Sequence, residues 1–297
     1  MSVISFPNRG PWGDKRYRGN CSGYVYKFLF EQLRPRVFVD PCAGSATSVE
    51  VAQELGIEAY GLDLRTGFNL LRDSILETIG KPADLCFSHP PYADMIVYSG
   101  CVWGGQPHPD DLSRCLDDDD FVDKLHQGLL NQRHATANSG YYGLLIGDLR
   151  RRGRYRSYQA DMIARLPQSE LRAVMIKQQH HCTSDVRHYR LQLPRILHEY
   201  IVLWQKTAAP VSLIYILRES AQQQQRHLQG TWKAVVHAAL VELGGAASLP
   251  TLYAHLSDRH AEKRGNNPHW HAKVRQTLQR YPAIFAQQAR GRWRLAA

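Results

Sequence analysis

The sequence predicts an α/β fold of the doubly wound kind with a small second domain behind it, and three stretches carry the prediction. Residues 37–39, Val-Phe-Val, form a short β-branched and aromatic strand that runs directly into a small-residue turn, Asp40-Pro41-Cys42-Ala43-Gly44-Ser45-Ala46-Thr47-Ser48. A helical stretch follows over residues 49–55. A second strand, residues 58–62, ends at Asp63, about twenty residues past the turn, where nucleotide-binding α/β folds place an acid on ribose hydroxyls. Residues 83–87 are apolar apart from Asp84 and close abruptly on Ser88-His89-Pro90-Pro91-Tyr92. Two prolines there fix the chain in a rigid turn that a buried strand end does not need for folding.

The bulk composition agrees. A chain of 297 residues with 43% apolar side chains supports one large domain and a small one. No apolar run is long enough to span a bilayer, and residues 1–14 lack the charged, apolar and small-residue parts of a secretory signal. Six cysteines (Cys21, Cys42, Cys86, Cys101, Cys115, Cys182) form no CxxC pair, which favours reduced thiols in a cytoplasm over disulfides or structural zinc. The net charge of +10 is concentrated late: residues 207–297 hold 12 Lys and Arg against 4 Asp and Glu. Such a surplus suits a polyanion, foremost nucleic acid, or else a solvated basic face.

In chain order, residues 1–24 are rich in Gly, Arg and aromatics without any period, and are expected to be a loop that covers something. Residues 24–33 read as a helix. The small side chains after residue 39 let backbone approach a ligand and let the helix pack against the strand. Arg65-Thr66-Gly67-Phe68-Asn69 is a polar turn before a helix over residues 70–79. Residues 93–119 are too long and too rich in Gly and Pro for a plain connection, as functional loops are. The acidic run of residues 117–120 reads as the cap and first turn of a helix over residues 121–130. A strand over residues 141–146 ends at Gly147-Asp148, and Arg150-Arg151-Arg152-Gly153-Arg154 follows at the same sheet edge, either to hold phosphates or as solvated surface. Residues 171–177 and 199–204 read as the last two strands. Between them, His180-His181-Cys182, Arg187-His188 and Arg190 lack a second pair with ligand spacing, so no metal site is expected.

Composition shifts over residues 207–230, which read as a linker between a domain of residues 1–206 and one of residues 231–297. The latter shows helices over residues 232–243, 249–256 and 267–278, then two short strands within residues 284–295 about Gly291. That is the order of a winged helix-turn-helix. Its third helix carries His269, Trp270, His271, Lys273, Arg275 and Gln276, and its wing Arg290, Arg292 and Arg294. These residue types suit major-groove and phosphate contacts; a protein-binding winged helix is the alternative, with Trp270 or Trp293 in its core.

Over residues 8–206 the chain resembles the S-adenosylmethionine-dependent DNA amino-methyltransferases, which act on N6 of adenine or N4 of cytosine. Asp40-Pro41-Cys42-Ala43-Gly44-Ser45-Ala46-Thr47-Ser48 is similar to that family's cofactor loop, and Ser88-His89-Pro90-Pro91-Tyr92, in the same order, to its catalytic motif. The stretch of residues 18–30 before the loop is similar to an additional cofactor-binding motif. The resemblance implies a Rossmann-like class I methyltransferase fold, a mostly parallel seven-stranded sheet whose last strands form an antiparallel hairpin. It implies S-adenosylmethionine held by Asn20, Ser22, Asp40, Pro41, Ala43, Gly44, Ser45, Thr47, Asp63, Leu64, Asn69 and Ser88. It also implies catalysis by His89, Pro90, Pro91 and Tyr92. The side chain of His89 and the carbonyl of Pro90 would accept the two hydrogens of a base amine, and Tyr92 would stack on the flipped base.

The family has Asp, Asn or Ser where this chain has His89. A protonated imidazole accepts nothing, so activity is expected to fall as pH drops through the histidine pKa, within about pH 8 to 5.5 for an ordinary imidazole. His89 decides neither base; the reading leans slightly to adenine. Double-stranded DNA is the expected partner, through Arg150, Arg152, His269, Lys273, Arg275 and Arg292, with a cognate restriction or defence system as a further one. No membrane is expected, and the chain is expected to be a monomer or homodimer. An RNA-base or protein-glutamine amino-methyltransferase, and an inactive DNA-binding regulator, are the alternatives.

Overall fold

The computed structural model describes residues 1–151, 153–180, 193–208, 232–259 and 268–296. Its centre is a seven-stranded sheet formed by β1 (Val3–Ser5), β2 (Val37–Asp40), β3 (Glu58–Gly61), β4 (Ala83–Ser88), β5 (Thr136–Ile146), β8 (Leu171–Gln178) and β9 (His198–Gln205). The spatial order is β1-β8-β9-β5-β4-β2-β3. All neighbours are parallel except β9, which runs antiparallel to both β5 and β8. The mostly parallel sheet with a closing antiparallel pair is therefore present.

Alternation along the strands splits the apolar side chains between two cores, because successive side chains leave opposite faces. Phe38, Leu85, Phe87, Leu145, Ile201 and Leu203 pack on one face with α1 (Gly23–Leu33) and α2 (Thr47–Glu54). Val39, Cys86, Leu144, Ile146, Val202 and Trp204 pack on the other. There they meet α3 (Ile75–Ile79), α4 (Asp118–Ala135) and α5 (Tyr158–Arg165). Both faces are covered, as parallel strands require. Asp117 caps α4 by accepting from the Asp120 amide at 3.0 Å, with Asp118, Asp119 and Asp120 in its first turn, so the acidic run does what its sequence suggests.

Several elements differ from expectation. Residues 3–5 are a strand, pairing Val3 with Ile176 and Ser5 with Gln178; an edge strand of three residues shows no periodicity. The arginine run forms a hairpin, β6 (Leu149–Arg151) and β7 (Arg154–Arg156), turning at Gly153 with φ +79°. The helix before β4 spans only Ile75–Ile79.

The C-terminal unit contains α6 (Trp232–Glu242), β10 (Ala246–Ser248), α7 (Leu249–Arg259), α8 (Trp270–Arg280), β11 (Phe285–Ala289) and β12 (Arg292–Leu295). Its sheet has the order β10-β12-β11, adding one strand to the two expected. Trp270, Val274 and Leu278 of α8 and Trp293 of β12 join its core. Lys233 on α6 bonds Asp117 at 2.9 Å, fastening this unit to the start of α4. Most of residues 207–230 lies outside the described residues.

Behind the sheet, Glu170 is fully buried and receives Arg133 in a two-point pair at 2.8 and 2.6 Å. It also accepts from the Tyr142 hydroxyl at 2.7 Å and from the Thr207 amide and hydroxyl at 2.9 Å. Burial raises its pKa, but Arg133 and these donors outweigh that and bring it to about 2. Stability from this depressed pKa is full above about 4.5, its unperturbed value, and is lost as pH falls through about 2. Glu170→Leu leaves Arg133 buried without its partner, and should lower urea-unfolding stability at neutral pH by about 3–5 kcal/mol.

Candidate active site where the strand order reverses

From β2 the chain steps to β3 on one side and later to β4 on the other, so a crevice opens beyond the carboxyl ends of β2 and β4, where open α/β sheets bind ligands. Two cavities meet there. The first lies at the carboxyl end of β2. The turn after β2 supplies Pro41, Ala43, Gly44, Ser45 and Thr47 to its wall, and Asn20, Asp63 and Leu64 join them.

The turn is held from both sides. Asp63 accepts from the Gly44 amide with one oxygen and the Arg65 amide with the other, each at 2.9 Å. Thr47 Oγ1 donates to Asn20 Oδ1 at 2.7 Å. Gly44 takes φ +52°, and a Cβ there would lie 3.0 Å from the Tyr17 ring. Ala46 also takes a left-handed φ of +64°, a conformation that costs alanine about 1 kcal/mol. Tyr17, Tyr98 and Trp103 close the cavity from two loops. Trp103 Nε1 donates to the Tyr17 hydroxyl at 3.0 Å, and the Tyr98 hydroxyl to the Arg18 carbonyl at 3.2 Å. The N-terminal loop thus covers a site, in company with the Gly-rich loop.

Four sequence candidates stand elsewhere. Asp40 faces back into the turn, accepting from the Cys42 amide at 2.9 Å and Ser48 Oγ at 2.6 Å; burial raises its pKa to about 7 against those hydrogen bonds. Ser22 caps α1 and lines the second cavity. Ser88 points to α4, where its hydroxyl donates to the Gln132 amide oxygen at 2.8 Å. Asn69 donates to Asp110 at 2.8 Å, and it is Asp110, with Asp111 and Leu112, that reaches the first cavity.

The second cavity is lined by Pro90, Tyr92, Met95 and Ile96 from the Pro-Pro turn onward, by Phe6 and Arg9 from the N-terminal loop, and by Lys177, Gln179, His180 and Glu199 from β8, β9 and their connection. His89 and Pro91 line both cavities. His89 Nε2 lies 2.8 Å from the Tyr92 hydroxyl, which donates to Glu199 Oε1 at 2.8 Å; Lys177 Nζ binds the other Glu199 oxygen. Burial lowers the His89 pKa to about 4. Burial works to raise Glu199, but the attraction of Lys177 with the donors around it holds the carboxyl below its ordinary value. Tyr92 packs against Gly147 at the end of β5, where a Cβ would lie 2.7 Å from its ring. Sequence motifs announce His89 and Tyr92; Lys177 and Glu199, distant in the chain, carry no local signal.

The basic residues divide. In the hairpin, Arg151 pairs with Asp94 and Asp118, Arg156 with Asp118 and Asp119, and Arg150 donates to the Pro194 carbonyl at 2.7 Å. Much of that charge is spent within the protein, leaving less for phosphate than its sequence suggested. Arg152 lies outside the described residues, as do His181, Cys182, Arg187, His188 and Arg190. Among the described residues no group of three His, Cys, Asp or Glu side chains is arranged to hold a metal, and no helix is long and apolar enough to cross a membrane. On the C-terminal unit, His269, His271, Lys273 and Arg275 of the α8 region and Arg290, Arg292 and Arg294 of the β11–β12 hairpin are exposed.

No protein-family model matches the chain, and no curated protein does. Solved structures do match. TrmN from Thermus thermophilus is 13% identical over 64% of this chain and 50% of its own, with a TM-score of 0.39. An rRNA methylase from Streptococcus thermophilus is 13% identical over 62% and 95%, with a TM-score of 0.31. Human N-acetylserotonin methyltransferase in complex with SAM is 8% identical over 63% and 52%, with a TM-score of 0.30. The chain thus spans half the length of TrmN. Similarity at this level decides neither substrate nor chemistry.

Asp63 both ties the turn and lines the first cavity. Asp63→Ala should abolish calorimetric binding of S-adenosylmethionine, the ligand the turn motif implies; unchanged affinity would remove Asp63 from the site.

Proposed function

We propose that the protein transfers a methyl group from S-adenosylmethionine to the exocyclic amine of an adenine or cytosine flipped out of duplex DNA. One observation carries the reading: His89 stands in the wall common to a cavity shaped by a small-residue turn and an acid, and a second cavity opening past two prolines.

The lining of the first cavity suits the cofactor chemically. Asp63 offers carboxylate oxygens to ribose hydroxyls, Gly44 lets backbone come close, and Tyr17, Tyr98 and Trp103 suit an adenine ring and a positively charged sulfur. When bound, S-adenosylmethionine supplies an electrophilic methyl group. The protein must hold the amine in line with it, and must localise a lone pair that is otherwise delocalised into the base ring. His89 and the Pro90 carbonyl serve as acceptors for the two amino hydrogens, which favours a tetrahedral nitrogen with its lone pair directed at the methyl. Burial keeps the imidazole neutral, and hence an acceptor.

For duplex DNA, the support is the C-terminal unit. Its helix-strand-helix-helix-strand-strand order is that of a winged helix, with an exposed basic helix α8 and an arginine-bearing wing. A base turned out of the stack would enter the second cavity, beside Pro90 and Tyr92.

The test offers labelled cofactor to DNA, RNA and protein in parallel; transfer to DNA is expected, and transfer confined to RNA or protein would contradict the reading. Replacing Lys273, Arg292 and Arg294 together by alanine should lower the slope of log affinity for DNA against log salt by about 3, since each phosphate contact contributes about 1. With the His89 pKa at about 4, the rate should stay flat from about pH 8 to about 5.5 and fall only towards pH 4, as protonation removes the acceptor. This replaces the sequence-based expectation of a fall at the ordinary histidine pKa; a decline centred near pH 6.5 would show that His89 is not held neutral.

A further inference from the structure

We propose that Glu199, anchored by Lys177, acts through Tyr92 to lock His89 in the tautomer protonated at Nε2, so that Nδ1 is the lone pair presented to the substrate amine. This deepens the methyl-transfer reading and rests on it only for the identity of the group that Nδ1 meets.

One chain of contacts fixes where each proton lies. Glu199 is buried, is paired with Lys177 and, as a carboxylate, can only accept. The Tyr92 hydroxyl has one proton, and its oxygen lies 2.8 Å from Glu199 Oε1. Directing that proton elsewhere would set two oxygens face to face at hydrogen-bonding distance without a hydrogen between them, so it goes to Glu199. The tyrosine oxygen can then only accept from His89, 2.8 Å away at Nε2. Nε2 therefore carries the hydrogen. A neutral imidazole has one N–H and one lone pair, which leaves the lone pair on Nδ1. With Nε2 turned to Tyr92, Nδ1 belongs to the opposite edge of a ring that borders both cavities.

The arrangement gives Tyr92 a task beyond stacking. A phenylalanine would stack equally well but could not join His89 to Glu199. Glu199 and Lys177 are positioning residues, acting on β9 and β8 through Tyr92 rather than on the reacting atoms.

Nitrogen NMR of the full-length protein labelled with ¹⁵N-histidine reads the tautomer directly, with the His89 signals assigned by their loss in His89→Gln. At neutral pH the wild type should show a protonated Nε2 and an unprotonated Nδ1. Tyr92→Phe should give a mixture of tautomers, and a fall of about tenfold in kcat on DNA with cofactor affinity retained. Glu199→Gln, which keeps the side-chain shape, should weaken the preference similarly. Protonation of His89 at Nδ1 in the wild type, or an unchanged tautomer in Tyr92→Phe, would overturn the proposal. The wild-type spectrum alone decides the first point, whether or not a variant folds. A locked Nε2–H tautomer without methyl transfer to DNA would instead count against the functional reading while leaving the lock standing.

Discussion

Keeping a half-buried imidazole neutral between two ligand cavities is the constraint that the rest of this architecture serves. Burial favours the uncharged ring, but the acceptor is useful only if the ring cannot turn or exchange tautomers freely. The Pro90-Pro91 turn limits the backbone, and Ala93 follows with a left-handed φ of +47°, local strain of the sort that structures retain at functional sites. Gly147 makes room for the Tyr92 ring. Behind it lies a buried Lys177–Glu199 pair, an arrangement that stabilises folding little by itself but supplies a fixed negative charge to orient a hydroxyl.

The same crevice is closed from three directions. The N-terminal loop meets the Gly-rich loop through Tyr17 and Trp103. Asp111 braces the latter from within, accepting from the Ser99 and Ser113 amides at 2.8 Å and from both their hydroxyls. The C-terminal unit approaches the outside of this loop, where a Cβ on Gly244 would lie 3.2 Å from Gln106, and Lys233 bonds Asp117 at its end. The unit read as the DNA anchor therefore rests against the wall of the cavity read as the cofactor site.

Much of this was legible in the sequence where one local pattern sufficed. Short apolar runs in β2, β4 and β9, the acidic cap of α4 and the turn at Gly44 are each properties of a few neighbouring residues. What escaped was of two kinds. Val3–Ser5, the β6–β7 hairpin and Ala246–Ser248 are strands of three residues, too short for a period, and gain their pairing from partners elsewhere in the chain. The other kind is side-chain direction. Motif position placed Asp40, Ser88 and Asn69 at the ligand, yet Asp40 and Ser88 sit on strand ends facing Ser48 and Gln132, and Asn69 is engaged by Asp110. Conversely Glu199 lies 107 residues from Tyr92, and only the return of β9 beside β5 brings them together.

In the proposed reaction His89 directs a methyl group to an exocyclic amine. Mass spectrometry of nucleosides from DNA incubated with the protein and S-adenosylmethionine tests it most directly. N6-methyladenine or N4-methylcytosine is expected with the wild type, and neither with a His89→Ala variant that still binds the cofactor. A methyl group on a ring carbon, or an undiminished yield from His89→Ala, would contradict it.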